Sequence, residues 1–155
     1  MTLSQVIKGF ELIASKQPAI SMIVQNDIFR LNSKEDARYG VFGWTQGQHS
    51  GSNDSDLYNF AFTFFYVDRL TEDRKNQIEV QSVGIEVLSN IIRTMEQRGL
   101  YVDLQYTFQP FNQRFIDECA GVFCNVTITV PISSACSEEF ADFLATDFND
   151  DFLIY

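Results

Sequence analysis

Apolar positions recur along this chain with two different periods, and the switches between them mark the elements. From Thr2 to Lys16 they fall three and four apart: Leu3, Val6, Ile7, Phe10, Ile13 and Ala14. That spacing predicts a short helix with one apolar stripe. Thr2 is placed to cap it, with Gln5 three residues on, and Pro18 stops it. AISMIV (Ala19 to Val24) and IFRL (Ile28 to Leu31) read as short strands or an extended arm, with a turn or loop over Asn32 to Ala37. RYGVFGW (Arg38 to Trp44) resumes β character, with Gly40 and Gly43 at bulges or close backbone approaches. Thr45 to Asp56 then contains no apolar residue, which predicts a mobile, solvated loop.

The second half of the chain repeats the alternation more strongly. Leu57 to Leu70 sets Tyr58, Phe60, Phe62, Phe64 and Tyr66 on one face and Ala61, Thr63, Phe65 and Val67 on the other. Both faces are largely apolar, as for a central strand covered on both sides. Thr71 to Arg98 is the main predicted helix, with Thr71 as N-cap, Gly99 as C-cap, and Gly84 allowing close approach to the sheet. Tyr101 to Phe111 reads as one strand, with Val102, Leu104, Tyr106 and Phe108 on a shared face. Val122, Cys124, Val126, Ile128 and Val130 alternate with Phe123, Asn125, Thr127 and Thr129 in another, forming a long hairpin with the strand before it. The expected fold is α+β: a mostly antiparallel sheet with two main helices packed on one face, a long C-terminal β-hairpin and an acidic C-terminal tail. Residues 1–137 form one domain, and 138–155 an acidic aromatic extension.

Charge sharpens that division. The chain of 155 residues carries a net −10. Six acids and no base lie between Glu138 and Tyr155, so the extension holds −6 of that total and the domain only −4. This balance argues against a nucleic-acid footprint and against an anionic membrane surface. No apolar run approaches the ~20 residues of a membrane span. The N-terminus lacks the pattern of a signal peptide, and three cysteines do not suggest a disulfide framework, so folding in a reducing cytoplasm is expected.

Candidate chemistry is sparse. The cysteines follow C-x4-C-x11-C with no histidine nearby, at the edge of the zinc pattern and one ligand short. Cys124 sits on the apolar face of its strand, where a thiol behaves as a small hydrophobe. His49, the only histidine, falls in the polar loop without an orienting partner. Asp117 and Glu118 are adjacent, so they point apart rather than flank one bond. No catalytic residue, metal or cofactor is expected. Assembly features are more plentiful: aromatic β surface, sheet edges without charge or proline, and the extension. There Phe140, Phe143, Leu144 and Phe148 recur at helical spacing, followed by Phe152 to Tyr155, the form of a docking segment. With Trp44 and His49, these residues are the candidate subunit or partner contacts.

The order helix–strands–helix–hairpin over residues 1–137 resembles the small head-to-tail joining proteins of tailed bacteriophages, the tail-terminator and neck-ring group. FAFTFFYVDRL runs straight into TEDRKNQIEVQSVGIEVLSNIIRTMEQ, and RFIDECAGVFCNVTITVP follows. In this it is similar to proteins of crAss-like phages of Bacteroides-type gut bacteria. The resemblance implies a non-enzymatic virion protein made in the host cytoplasm. It would form a six- or twelve-fold ring of its own copies beside portal, neck or tail-tube proteins, with genome DNA passing through unbound. The acidic aromatic extension departs from the minimal pattern of that group, and no functional residues carry over. The competing expectation is a small adaptor or binding domain outside a virion, whose aromatic strand lines a ligand groove.

Overall fold

The computed structural model describes residues 1–26, 39–103, 106–114 and 118–131. Over these the elements run α1 (Leu3–Ser15), β1 (Met22–Gln25), β2 (Val41–Gln46), β3 (Ser50–Ser52), β4 (Leu57–Arg69), α2 (Gln77–Gln97), β5 (Tyr101–Val102), β6 (Phe108–Arg114) and β7 (Glu118–Pro131). The strands expected at Ile28 to Leu31, the loop at Asn32 to Ala37 and the whole 138–155 extension lie outside the described residues.

One seven-stranded sheet runs β1-β2-β4-β7-β5, with β3 alongside β4 and β6 alongside β7. Among the described residues only β1 and β2 pair in parallel, and the other pairings are antiparallel. The spine is β4 against β7, in register from Leu57↔Pro131 to Arg69↔Cys119. Both helices lie on the same face, so the α+β architecture is as the periodicity predicts. Phe10 of α1 enters a nest of Phe42, Trp44, Phe62 and Phe64, with ring centroids 4.8–6.5 Å away. Edge-to-face and tilted rings at such distances add to the burial each provides. From α2, Val80, Val87, Leu88, Ile91, Ile92 and Met95 join the same core, which meets Val122, Cys124, Val126 and Ile128 of β7.

The helix ends show which sequence signals prevail. The Thr2 hydroxyl accepts from the Gln5 N–H at 3.2 Å and the Gln5 side chain accepts from the Thr2 N–H at 2.8 Å, a complete capping box. Gly99 has φ +89°, and the N–H groups of Gly99 and Leu100 donate to Glu96 and Met95 carbonyls, closing α2 in a Schellman turn. Gly84 is forced: a Cβ there would stand 2.7 Å from Val122 Cγ2 and 3.0 Å from Tyr66 Cδ1.

Three expectations are corrected. Thr71 does not cap α2, which starts at Gln77. The chain must first climb from the sheet to the helix layer. Thr71 donates to Asp73 at 2.6 Å, and its N–H donates to Asn76 Oδ1 at 2.9 Å, so these polar side chains close a turn instead. The stretch Thr45 to Asp56 is not a free loop. β2 runs into it as far as Gln46, and β3 pairs Ser50–Ser52 with β4. Backbone pairing needs no apolar side chain, so hydropathy does not reveal it. Finally, the strand expected over Tyr101 to Phe111 is two strands. β5 sets Tyr101 opposite Thr129 and β6 sets Phe108 opposite Cys124, a register shift of two residues against the same partner.

Candidate interaction surface

Among the described residues, several of the polar groups that could carry chemistry are engaged within the fold. Cys119 and Cys124 are buried thiols outside any disulfide, and the alternation of β7 sends them to opposite faces of the sheet. Burial pushes the Cys124 thiol up to about 11, away from the thiolate that nucleophilic or metal chemistry requires. Among the described residues, no group of three or more His, Cys, Asp or Glu side chains could hold a metal ion.

Glu11 is the buried carboxyl of the core face. Its Oε1 accepts from Trp44 Nε1 at 2.9 Å and Gln25 Nε2 at 2.7 Å. Burial raises its pKa above the ordinary carboxyl value, and the two donated hydrogen bonds oppose that rise. Sequence reading passed over Glu11, although it falls between Ile7 and Ala14 at helical spacing, on the stripe that faces the sheet. Tyr66 is likewise buried, and desolvation with the neighbouring Asp68 holds its phenol protonated.

The two described residues expected at partner contacts are both engaged by their own chain. Trp44 is 4% exposed, among the aromatic rings of α1 and β4. The Trp44 indole packs in the core of its own chain, its N–H donating to Glu11. His49 is half-buried against Phe60 and Phe62. Its Nδ1 accepts from the Ala61 N–H at 3.1 Å, so the ring proton sits on Nε2, 2.9 Å from Gln46 Oε1. Gln46 pairs with Phe62 and Ser50 with Asn59, which leaves one extra residue between β2 and β3. The imidazole supplies the acceptor that this bulge takes from the ladder. Phe140, Phe143, Leu144, Phe148, Phe152 and Tyr155 lie outside the described residues.

What remains is the face of the sheet opposite the helices. At one end Met22, Val24, Val41, Phe65, Val67 and Cys119 form a second, smaller buried cluster. At the other end the same face is polar and at least partly open to solvent, through Asn59, Ala61 and Thr63 of β4 and Asn125, Thr127 and Thr129 of β7. The Thr63 hydroxyl donates to Asn125 Oδ1 at 2.7 Å and the Thr129 hydroxyl to Asn59 Oδ1 at 2.8 Å. Lysine, arginine, aspartate and glutamate make up 21% of the chain. Yet among the described strand positions on this face only Arg69, at the very end of β4 and stacked on Tyr39, is charged. The outer surface of α2 offers the contrast, with Glu79, Glu86, Arg93 and Glu96 all exposed. Sequence alternation contains this signal, because the odd positions from 57 to 67 and from 119 to 131 are all uncharged.

No protein-family model matches the chain, and no curated protein matches it by sequence.

Proposed function

We propose that this chain is a structural subunit that assembles with its own copies into a ring in the neck or tail of a tailed phage, and that it breaks no bonds. The observation that carries the reading is the one-sided sheet: seven strands, helices over one face, and charge almost absent from the other. A protein of net −10 that keeps charge almost entirely off one sheet face leaves a β surface suited to protein contact. The order α1, four strands, α2, then a hairpin supports the resemblance to the head-to-tail joining group. In this reading the 138–155 extension reaches a neighbouring subunit, portal or tail-tube protein through Phe140, Phe143, Leu144 and Phe148. The acidic surface lets genome DNA pass without sticking.

The test is the composition of purified particles. Mass spectrometry should find the chain in virions at a fixed multiple per particle, and electron microscopy should show it at six- or twelve-fold symmetry. Absence from intact particles would remove the reading.

A further inference from the structure

We infer that the side of α2 facing β6 is a docking groove, and that its occupant is the 138–155 extension of a neighbouring copy. The inference rests on the assembly reading and adds to it the two surfaces that meet.

The groove follows from where the helices sit. α2 lies over β4 and β7, because a Cβ on Gly84 would meet both Tyr66 and Val122. α1 packs against α2 from the side of β2 and β4. On the other side the next strand is β6, with Pro110 in register with Val122. Pro110 is exposed and Phe108 half-buried. At about 100° per residue, the side of α2 turned away from α1 carries Ile78, Ser82, Ile85 and Ser89. Ile78 is 73% exposed and Ile85 41%, two of the three large apolar side chains left exposed among the described residues.

Two features select the occupant. The first is form. The Asp103 N–H donates to the Thr127 carbonyl, so the odd residues of β7 turn their backbone groups toward this edge. Pro110 stands opposite Val122, an even position, so its nitrogen faces outward and brings no N–H to an added strand. A partner therefore lies on top of β6, as a helix in a groove. Phe140, Phe143, Leu144 and Phe148 recur at the spacing such a helix needs. They would span about 12 Å, against about 10 Å from Ile78 to Ile85.

The second feature is charge. The extension carries six acids and no base. The outer surface of α2, with Glu79, Glu86 and Glu96, repels it. The groove does not: Ile78, Ser82, Ile85 and Ser89 are uncharged, and so is β6 from Phe108 to Gln113.

Chain length decides which copy supplies the segment. Phe108 lies opposite Cys124, seven positions back from Pro131, or about 23 Å along β7. The path must also cross to the outer strand and climb to the helix layer. Phe140 follows Pro131 by nine residues, which span at most about 30 Å. Reaching its own groove would hold that linker nearly straight, at a cost in entropy. A copy set alongside can present the segment with its linker slack. The contact is head-to-tail, and repeating it generates a ring when the rotation closes.

Sedimentation velocity of the full chain over a wide concentration range tests this. The wild type is expected to form species larger than a dimer as concentration rises. Ile85→Asp spoils the groove and Phe143→Asp the extension, and each should weaken association about tenfold or more. Ile85→Leu should associate as the wild type does, and thermal melts establish that the variants fold. A mixture of the two aspartate variants has one intact groove and one intact extension per pair, so it should form 1:1 dimers and nothing larger. Weakened variants that stay monomeric when mixed overturn the head-to-tail pairing. Association unchanged in both aspartate variants overturns the groove, and virions that contain the chain then leave the ring reading standing. A wild type that stays monomeric at every concentration overturns the contact between copies. Absence from virions removes the ring reading and leaves a contact measured in solution intact.

Discussion

The two faces of the sheet are built by the same strands from opposite residue types. On the helix side β4 presents Phe60, Phe62, Phe64 and Tyr66, all buried beneath α1 and α2. On the other side the same strand presents Asn59, Ala61 and Thr63 before it turns apolar again at Phe65 and Val67. Successive residues thus serve two tasks: one set holds the chain together, and the other meets the outside without charge. The comparison teaches that one strand can serve two environments, with buried rings at its even positions and an uncharged polar surface at its odd ones.

The sharpest way to break the comparison is to remove a residue from the helix side. Phe10 is fully buried and touches four aromatic rings, so Phe10→Ala should cost about 3–5 kcal/mol in urea or thermal unfolding. A loss below about 1 kcal/mol would mean that α1 is not anchored as described. His49→Ala should cost less, about 1–2 kcal/mol, by leaving the Ala61 N–H without its acceptor. Hydrogen exchange at Ala61 should quicken while exchange at Val126 does not change.

Glu11→Gln sharpens the comparison through pH. Burial raises the folded carboxyl above its ordinary value of 4.5, so the folded form holds the proton more tightly than the unfolded chain. That contribution is complete below the unfolded value and is lost as pH rises through the folded one. The wild type should therefore gain stability relative to the glutamine variant on acidification from neutral pH towards 4. A constant difference in melting temperature across that range would show that Glu11 does not titrate as its burial requires. The smallest effect belongs to the open face: Thr127→Val should alter folding stability by about 0.5 kcal/mol or less.

How much of this was legible in the residues differs by element. The three-four pattern of Leu3 to Ala14 placed α1 with its buried stripe, and the period-two pattern of Leu57 to Leu70 placed β4, although its Asn59, Ala61 and Thr63 side is partly open rather than covered as expected. Gly84 and Gly99 were equally readable, one by its place on the packed side of α2 and one by its position after the helix. The start of α2 was not. Thr71 has the chemistry of a cap, but only the geometry of the climb from sheet to helix decides that Asn76 uses its side chain on Thr71 and the Arg69 carbonyl. β3 was hidden for a different reason: Ser50, Gly51 and Ser52 contribute backbone rather than apolar surface. Trp44 and His49 were expected at partner contacts; what their residue types could not reveal is that Glu11 and Gln46 lie across from their ring nitrogens within the same chain. The uncharged face could have been found by counting charge on alternate positions, a pattern that lies in the strands themselves.

The most direct measurement is the reactivity of a single thiol placed on each surface. Ile78→Cys and Glu86→Cys put a cysteine in the groove beside β6 and on the outer side of α2, while Cys119 and Cys124 stay buried. Alkylation at residue 78, followed by peptide mass spectrometry, should slow several-fold as the protein is concentrated, and alkylation at residue 86 should not change. Equal rates at both positions across the whole concentration range would contradict the claim that copies of this chain meet in that groove.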